Sequence, residues 1–326
     1  MRSLAARAES WPIRGAFVIS RGAKTTAEVL VVEIAQEADV GRGEAVAYAR
    51  YGETLDSALQ QIESLRSQIE AGMDRAQLQL ALPAGAARNA IDCALWDLAA
   101  KQAGVRAWTL AGFPRLDPVK TCFTISLGEP QVMAEQARLE ARRPMLKIKI
   151  GGADDLDRLV AVRAAAPRSR LIVDANEAFD WPTFQALAPE LARLDVKLVE
   201  QPMPAGADEA LAAYAGSVPI CADESVRTTA DLAACVGRYA MVNIKLDKAG
   251  GLTEALQMVG AARAMGFEIM AGCMVATSLA MAPALLVAQG AAAVDLDGPL
   301  LLERDRTPGL TFQGSAILPP PTELWG

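Results

Sequence analysis

Short apolar segments that each end in charged or polar residues recur through the second half of the chain. They are Leu146–Ile150, Leu171–Asn176, Leu198–Pro202, Ile220–Ser225 and Val242–Asp247. Each begins with apolar, often β-branched residues, as a strand buried on both faces of a parallel sheet should. Helix-like stretches separate them, and repeated strand–helix units of about 25 residues predict a parallel α/β architecture.

Three further segments complete a set of eight strands. Lys120–Leu127 is predicted as the first strand, with Thr124 as a pocket residue, Phe267–Met270 as the seventh and Ala291–Asp297 as the eighth. Eight such strands fit a TIM-like (β/α)-barrel, whose active sites lie at the C-terminal ends of the strands. The polar groups of this chain gather at those ends, which predicts a catalytic face there.

The N-terminal part of the chain follows a different pattern. Strands are predicted at Ala16–Ile19 and Glu28–Ile34, on either side of a polar loop, Ser20–Thr26, that carries the cations Arg21 and Lys24. Helical periods come after the strands, without the alternation of strands and helices seen later. This order predicts a separate α+β domain.

The predicted division is an N-terminal α+β domain at 1–112, a barrel at 113–305 and a C-terminal tail at 306–326. In the first domain a helical period begins near Thr54, and a long helix ends near Gly104. The tail is rich in proline and is expected to pack back on the first domain.

One stretch is long enough for a membrane helix, because no charged residue lies between Glu268 and Asp295. Gly272 and Pro283 interrupt it, and proline disrupts a helix interior. We therefore predict a buried strand, a loop, a helix that begins near Met281, and another strand.

Composition narrows the class of protein. Hydrophobic residues make up 52% of the chain and charged residues 22%, which allows a large core, and the net charge is −7. This charge argues against nucleic acid or an anionic membrane as the main partner. A soluble acidic enzyme is the expected class. A homo-oligomer is compatible with this composition.

The chain contains no histidine and five cysteines, none in a CxxC pair. The absence of histidine removes Ser-His-Asp and Cys-His chemistry and histidine metal sites. Proton transfer must therefore use carboxylates, lysines, tyrosines, cysteines or a metal. The cysteine pattern and the lack of a signal-peptide pattern predict a reducing compartment, the cytoplasm.

Three acids end successive predicted strands: Asp174, Glu200 and Asp223. Adjacent strand ends of a barrel lie close together, and three converging anions repel one another. A hard divalent cation would relieve this repulsion, and oxygen ligands favour Mg²⁺, with Mn²⁺ as a substitute. The alternative is that each acid caps a helix or pairs with a lysine.

Three lysines accompany the acids. Lys147 and Lys149 are two residues apart on one strand and point to the same side, and Lys245 ends a strand beyond the acids. Mutual repulsion and a nearby metal are expected to lower a lysine pKa toward neutrality, which would make it a competent base. The alternative for the Lys147–Lys149 pair is a solvated strand edge.

Asp295 and Asp297 end the eighth predicted strand, and the alternation of a strand places both carboxylates on one side. A second metal site, a helix cap and a clamp for an ammonium group are the alternatives at this position.

These residues carry a resemblance to a known family. The motifs are Lys147-Ile-Lys149, Asp174-Ala-Asn176, Glu200-Gln-Pro202, Asp223-Glu-Ser225, Asn243 to Gly251, Ala49 to Glu53, Leu82 to Ala90, Asp92 to Leu98, and Asp295 to Pro299. They resemble the enolase superfamily, and within it the muconate-lactonizing-type subgroup and its dipeptide epimerases, over nearly the whole chain.

The resemblance implies an N-terminal domain that caps a modified (β/α)-barrel. It implies Mg²⁺ held by the three acids, with Asn176 and Glu224 supporting the ligands. Lys149 and Lys245 would be the acid/base pair, and Lys147 would neutralise the substrate carboxylate and depress the pKa of Lys149.

The same resemblance implies roles for the remaining candidates. Asp295 and Asp297 would bind the ammonium group of a dipeptide, and Lys24 or Arg21 would face a glutamate side chain. The related sequences have an arginine where this chain has Lys24, and a lysine offers a point charge rather than a bidentate fork.

The implied reaction is a Mg²⁺-dependent 1,1-proton transfer through an enolate. It would epimerise the C-terminal residue of an L-Ala-D/L-Glu-type dipeptide in cell-wall peptide metabolism. A cycloisomerase or o-succinylbenzoate synthase is an alternative, which Asp295 and Asp297 disfavour because they would repel an anionic substrate end. A Schiff-base aldolase would leave the acids unexplained, and a non-catalytic dipeptide-binding barrel would leave the lysines unexplained.

Overall fold

The structure is a computed structural model that describes residues 2–152 and 154–326. Its N-terminal part is an antiparallel sheet in the order β1–β2–β3, covered by helices. The strands are β1 (Arg2–Ile19), β2 (Gly22–Gln36) and β3 (Asp39–Ala45). The helices are α1 (Leu55–Ser64), α2 (Arg66–Glu70), α3 (Arg75–Ala81), α4 (Ala86–Ala103) and α5 (Ala107–Leu110), with a 3₁₀ turn at Ala49–Tyr51.

Helix α4 is the buried centre of this part of the fold. It packs backbone against backbone on β3, because that strand has glycine at the two points of contact. A Cβ atom on Gly41 would lie 2.1 Å from the carbonyl oxygen of Ala94, and one on Gly43 would lie 2.1 Å from that of Ala90. The helix is buried on nearly all sides, as expected where it lies between a sheet and a second body of structure.

The second body is a parallel barrel of eight strands in sequential order. After the short β4 (Val119–Lys120), its strands are β5 (Phe123–Ile125), β6 (Met145–Lys149), β7 (Arg170–Asp174), β8 (Val196–Glu200), β9 (Ile220–Ala222), β10 (Met241–Lys245), β11 (Glu268–Gly272) and β12 (Ala293–Asp295). The helices are α6 (Pro130–Leu139), α7 (Asp155–Ala165), α8 (Trp181–Arg193), α9 (Leu232–Cys235), α10 (Leu246–Ala249), α11 (Leu252–Ala264), α12 (Ser278–Val287) and α13 (Gly298–Leu301). Two 3₁₀ turns lie at Glu209–Ala213 and Thr229–Asp231.

The first and last strands of the barrel meet next to each other. The backbone N–H of Cys122 donates to the carbonyl oxygen of Val294 at 2.8 Å, and the N–H of Leu296 donates to Oγ1 of Thr121 at 2.9 Å. The predicted fold, a modified barrel with an N-terminal α+β domain over it, is confirmed.

The structure corrects three details of the predicted elements. Lys120 lies outside the barrel, because β4 pairs with a hairpin of the tail formed by β13 (Phe312–Gln313) and β14 (Ala316–Ile317). The polar loop predicted at Ser20–Thr26 is mostly strand, since β1 and β2 pair up to Ile19 and Gly22. Helix α12 begins before Met281, because the Thr277 side chain caps it, and Pro283 lies in its interior.

The end of the tail lies against α4. The indole N–H of Trp325 donates to the carbonyl oxygen of Cys93 at 3.0 Å, and the N–H of Gly326 donates to Asp97 at 2.7 Å. None of the helices in the described ranges has the length and apolar character that a membrane span requires.

Candidate active site

Three carboxylates lie at the ends of three neighbouring barrel strands. Asp174 ends β7, Glu200 ends β8 and Asp223 directly follows β9, and all three side chains are buried. The residues two positions earlier belong to one small apolar cluster, the barrel floor: Ile172, Leu198 and Cys221, with Met241, Met270 and Ala293. Because alternate residues of a strand point to one side, the carboxylates stand on this floor and face the barrel mouth.

The three predicted lysines lie on the strands that flank the acids. Lys147 and Lys149 are on β6, before β7, and Lys245 ends β10, after β9. All three are buried, and buried ammonium groups require partners. The solvated-edge alternative for Lys147 and Lys149 is therefore wrong.

Lys147 is the centre of the charge cluster. Its Nζ lies 2.7 Å from Oδ2 of Asp295, 2.7 Å from Oε2 of Glu200 and 3.1 Å from Oδ2 of Asp174. One ammonium group thus joins the acids at the ends of three different strands.

The two predicted acid/base lysines each pair with a different acid. Lys149 Nζ donates to Oδ2 of Asp174 at 2.6 Å and to Oδ1 of Asn176 at 3.1 Å. Lys245 Nζ donates to Oδ2 of Asp223 at 2.7 Å. Glu200 is approached by Lys147, so each of the three acids has a lysine beside it.

The carboxylates beside these lysines determine the direction of their pKa shifts. Burial alone lowers the pKa of Lys245, but Asp223 and Glu200 outweigh it and hold that pKa well above its usual range. The pKa of Lys147 is raised in the same way by Asp295, Glu200 and Asp174. The lysines alternate with carboxylates instead of facing one another, and the lowering of a lysine pKa by mutual repulsion and a nearby metal stays a prediction for the metal-bound site.

In the described part of the chain, no three Asp, Glu, Cys or His side chains surround a common point closely enough to hold a metal ion. Each of the three acids nevertheless has one oxygen held by the fold. Asp174 Oδ1 accepts from the N–H of Asn176 at 2.9 Å, Glu200 Oε1 from Nδ2 of Asn243 at 2.8 Å, and Asp223 Oδ1 from a further lysine described below.

The second oxygens of these acids fit a divalent cation. They are the atoms that the lysine ammonium groups approach, and Glu200 Oε2 has no hydrogen-bond partner among the described residues, although Lys147 Nζ is 2.7 Å away. Burial and the charge of Asp174 raise the pKa of Glu200 to about 7, although Lys147 and Lys245 act in the opposite direction. Three buried oxygen donors on neighbouring strand ends suit Mg²⁺ or Mn²⁺.

Asp295 and Asp297 both reach the barrel mouth, but by different routes. Asp295 ends β12, whereas Asp297 precedes α13 and makes no side-chain hydrogen bond to that helix, so the helix-cap alternative is wrong. Asp297 Oδ2 accepts from the backbone N–H of Thr124 at 2.6 Å. Burial and the charge of Asp295 raise the pKa of Asp297 to about 7.

Strands β1 and β2 form an antiparallel pair, the N-terminal hairpin, whose turn lies over the C-terminal ends of the barrel strands. The hairpin brings Arg21 and Lys24 to this end of the barrel. Arg21 is tied to the barrel: it donates to Oε1 of Glu224 at 2.7 Å and to the carbonyl oxygen of Asn176 at 2.7 Å. Lys24 is exposed, with Nζ 5.8 Å from the centre of the Tyr48 ring. Lys24 therefore remains available for an anion, whereas the guanidinium group of Arg21 holds the hairpin to the barrel.

A cavity of about 330 Å³ lies between the hairpin and the barrel mouth. Its lining brings together most of the predicted site residues: Arg21, Lys24, Thr124, Lys147, Lys149, Asn176, Asp223, Lys245, Asp295 and Asp297. Asp174, Glu200 and Glu224 are not among the lining residues and lie behind this surface. The volume is in the range of pockets for small ligands.

Sequence reasoning gave no role to Lys248, although the motif from Asn243 to Gly251 contains it. Its fully buried Nζ donates to Oδ1 of Asp223 at 2.5 Å and to the carbonyl oxygens of Val226 at 3.0 Å and Asn243 at 2.9 Å. The sequence signal is its position three residues after Lys245, one turn into the segment that follows β10. Lys248 fixes the orientation of the Asp223 carboxylate.

Replacing Lys248 with methionine is expected to weaken Mg²⁺ binding by about 10- to 100-fold, as losses among the supports of metal ligands do. The variant removes the ammonium group from Oδ1 of Asp223 while it keeps a side chain of similar length. Isothermal titration with Mg²⁺ measures the affinity directly.

Lys101→Met is the matched control, because it breaks the ion pair with buried Asp97, on α4 and away from the cavity. It should lower the melting temperature and leave Mg²⁺ affinity unchanged. Equal Mg²⁺ affinity in the Lys248 variant and the unmodified protein would contradict the role of Lys248.

Comparison with known proteins agrees with this geometry. Residues 1–112 match the mandelate racemase / muconate lactonizing enzyme N-terminal domain, and residues 132–316 match the enolase C-terminal domain-like family. The L-Ala-D/L-Glu epimerase of Escherichia coli K12 is 46% identical over 96% of this chain and 98% of its own length.

Two further proteins are similar over nearly their whole length. The N-acetyl-D-glutamate racemase of a Pseudoalteromonas species is 43% identical over 91% of this chain and 95% of its own. An enolase family member from Agrobacterium tumefaciens, with homology to dipeptide epimerases, is 51% identical, with a TM-score of 0.98 and full coverage of both chains. Its crystal structure holds sodium and L-Ala-L-Glu with an ordered loop.

Proposed function

Because the chain belongs to the mandelate racemase / muconate lactonizing enzyme group of the enolase superfamily, we propose that it is a dipeptide epimerase. Its substrate would be an Ala-Glu-type dipeptide with a free N-terminus, inverted at the α-carbon of the C-terminal residue. The observation that carries this proposal is the cavity lined at once by two lysines from opposite sides of the acids and by an aspartate pair.

Asp174, Glu200 and Asp223 would hold the Mg²⁺ ion through their second oxygens. When bound, the ion supplies positive charge that neutralises these carboxylates and the negative charge developing on the substrate carboxylate. Asn176, Asn243 and Lys248 hold the first oxygens in place.

Lys149 and Lys245 would perform the proton transfer. Their strands, β6 and β10, lie on opposite sides of the three acid-bearing strands, so their side chains reach the cavity from two directions. One lysine, as the free amine, removes the α-proton, and the other, as the ammonium, delivers a proton to the opposite face. The carboxylates that hold the pKa of Lys245 high are Asp223 and Glu200, and with both engaged by a bound cation this pKa would fall. Lys147, whose pKa the acids hold high, stays protonated and stabilises the negative charge.

The two ends of the substrate would meet opposite charges. Asp295 and Asp297 bind the ammonium group, because they present carboxylates at the end of the cavity formed by β12 and α13. Lys24 binds the side-chain carboxylate of glutamate. Arg21 is assigned to the closure of the cavity, since Glu224 and Asn176 already engage its guanidinium group.

We propose that the protein acts in the cytoplasm and that its role is the recycling of cell-wall peptides. All five cysteines are free thiols, and four are fully buried, which supports a reducing compartment. A dipeptide of alanine and glutamate with both configurations at glutamate is the substrate class that supports the recycling role.

An N-acylglutamate racemase is the second candidate, favoured by the similarity to the Pseudoalteromonas enzyme. Both aspartates also accept hydrogen bonds inside the protein: Asp295 from Lys147 and Asp297 from Thr124. An N-acyl substrate has no ammonium group, so turnover of N-acylated compounds separates the two functions.

Acetylation of the substrate N-terminus is expected to reduce kcat/KM for Ala-Glu by at least about 100-fold. The change removes the positive charge and leaves buried carboxylates without their partner, at a cost of about 3 kcal/mol or more. Solvent α-proton exchange in D₂O, followed by mass gain, measures Ala-Glu, N-acetyl-Ala-Glu and N-acetylglutamate side by side.

Asp297→Asn supplies the matched variant for this experiment. It should weaken turnover of Ala-Glu while Mg²⁺ affinity stays the same. Efficient turnover of N-acetylglutamate with none of Ala-Glu would replace the dipeptide assignment with the second candidate, and no exchange with any of the three compounds would contradict both.

A further inference from the structure

Side chains of helix α4, in the N-terminal part, form hydrogen bonds with the segment that directly follows Lys245. Arg88 donates to the carbonyl oxygens of Ala249 at 2.6 Å and Gly250 at 3.0 Å. At the far end, Asp92 accepts from the N–H of Thr253 at 2.9 Å and from its hydroxyl at 2.6 Å. The segment from Lys245 to Thr253 is therefore held by side chains of another part of the fold.

Asp247 lies at the centre of this contact, two residues after Lys245. Its Oδ1 accepts from Nδ2 of Asn89 on α4 at 3.0 Å and from the backbone N–H of Val46, just after β3, at 2.8 Å. All three residues are buried, and Val46 lines the cavity. A single oxygen thus joins α4, the cavity wall and the strand end that carries Lys245.

Helix α4 and this segment approach each other closely at two glycines. Gly250 and Gly251 have φ angles of 78° and 118°, which favour glycine. A Cβ atom on Gly250 would lie 2.5 Å from Nε of Arg88, and one on Gly251 would lie 2.5 Å from Cβ of Asp92. The segment after Lys245 therefore packs closely against the Arg88 and Asp92 side chains of α4.

We propose that Asp247 is a positioning residue, which holds the strand end of Lys245 at the distance from the substrate α-carbon that proton transfer requires. The proposal rests on the dipeptide epimerase function, since it concerns the proton transfer assigned to Lys245. A displacement of about 1 Å can cost about 100-fold in rate. Lys149 is on β6, four strands away in the sheet, so Asp247 positions one base and not the other.

Hydrogen bonding, and not charge, performs this role. Within the described residues no lysine or arginine forms an ion pair with Asp247, and an asparagine oxygen could accept from Asn89 and Val46 in the same way. Asp247→Asn should therefore preserve the position of Lys245, whereas Asp247→Ala should release it.

The test measures α-proton exchange in D₂O from each epimer of Ala-Glu separately. Lys149→Ala and Lys245→Ala first establish which epimer depends on which lysine. We expect Asp247→Ala to lower exchange of the Lys245-dependent epimer by about 10- to 100-fold. Exchange of the Lys149-dependent epimer should change by less than about threefold, and Asp247→Asn should recover both rates.

Asp97→Ala is the control for general damage to α4. Asp97 is a buried acid on the same helix, but it accepts from the N–H groups of Arg42 at 2.8 Å and Gly326 at 2.7 Å. This variant should lose stability and keep the ratio of the two exchange rates. If Asp247→Ala does not fold, Asn89→Ala serves in its place and should shift the ratio in the same direction.

An unchanged ratio of the two exchange rates in the Asp247→Ala or Asn89→Ala variant, whether or not both rates fall, would overturn the positioning role. The failure of the unmodified protein to exchange either epimer would contradict the proposed function instead. The two failures are therefore distinguishable in one set of measurements.

Discussion

Removal of divalent cations with a chelator is expected to abolish turnover of Ala-Glu, and added Mg²⁺ or Mn²⁺ to restore it. The reason lies in the balance of charge at the barrel mouth, where Asp174, Glu200 and Asp223 are buried together. Burial and Asp174 raise the pKa of Glu200 to about 7, whereas the lysines beside Asp174 and Asp223 hold the pKa values of those two acids below their usual range. The substrate brings further negative charge to the same place.

A second measurement of the metal does not depend on activity. Binding to the folded state alone stabilises it by about 2.7 kcal/mol at a concentration of about 100 Kd, so Mg²⁺ should raise the melting temperature. Glu200→Gln should lose this rise, while Asp97→Asn, which changes a buried acid outside the site, should keep it. Full activity after exhaustive chelation, with no bound metal detected, would contradict the metal assignment.

The barrel could be predicted from sequence because its strands are buried on both faces. Such strands are rich in apolar residues, and their C-terminal ends are marked by a charged residue, as at Asp174, Glu200 and Lys245. The alternation within a strand then places these side chains on the same side as the residues two positions earlier. Fold and site were predictable together because one pattern determines both.

The N-terminal hairpin was harder to predict, because β1 is largely exposed and lacks a continuous apolar run. Its pairing with β2 extends the strands through residues that locally resemble a loop, up to Ile19 and Gly22. Lys120 was misplaced for a related reason. Its partner, Ala316 in β14, lies far away in the chain, and no local pattern indicates that contact.

The partners of the site residues were the least predictable feature. The direction of the Lys245 pKa shift depends on whether the nearest charge is another lysine or a carboxylate, and only the structure places Asp223 Oδ2 at 2.7 Å. Lys248 received no role from the sequence, yet it is fully buried against Asp223. Contacts between residues on different strands decide such roles.

Replacement of Lys149 or Lys245 by alanine is expected to stop net epimerisation, with a loss of about 10²- to 10⁴-fold for each missing acid or base. Inversion needs one group to remove the α-proton and a second group to supply a proton on the other face. The two lysines sit on strands at opposite sides of the acids, and both line the cavity. Each single variant keeps one of the two groups.

The surviving lysine makes the expected result specific. In D₂O the Lys149 variant should still exchange the α-proton of one epimer of Ala-Glu, and the Lys245 variant that of the other, because removal and return on the same face need only one base. Lys197→Ala is the control, since Lys197 is an exposed lysine on β8, three residues before Glu200. Its activity should match that of the unmodified protein. Net epimerisation near the normal rate in both single variants would refute the two-base mechanism, and loss of exchange from both epimers in either variant would assign both faces to one lysine.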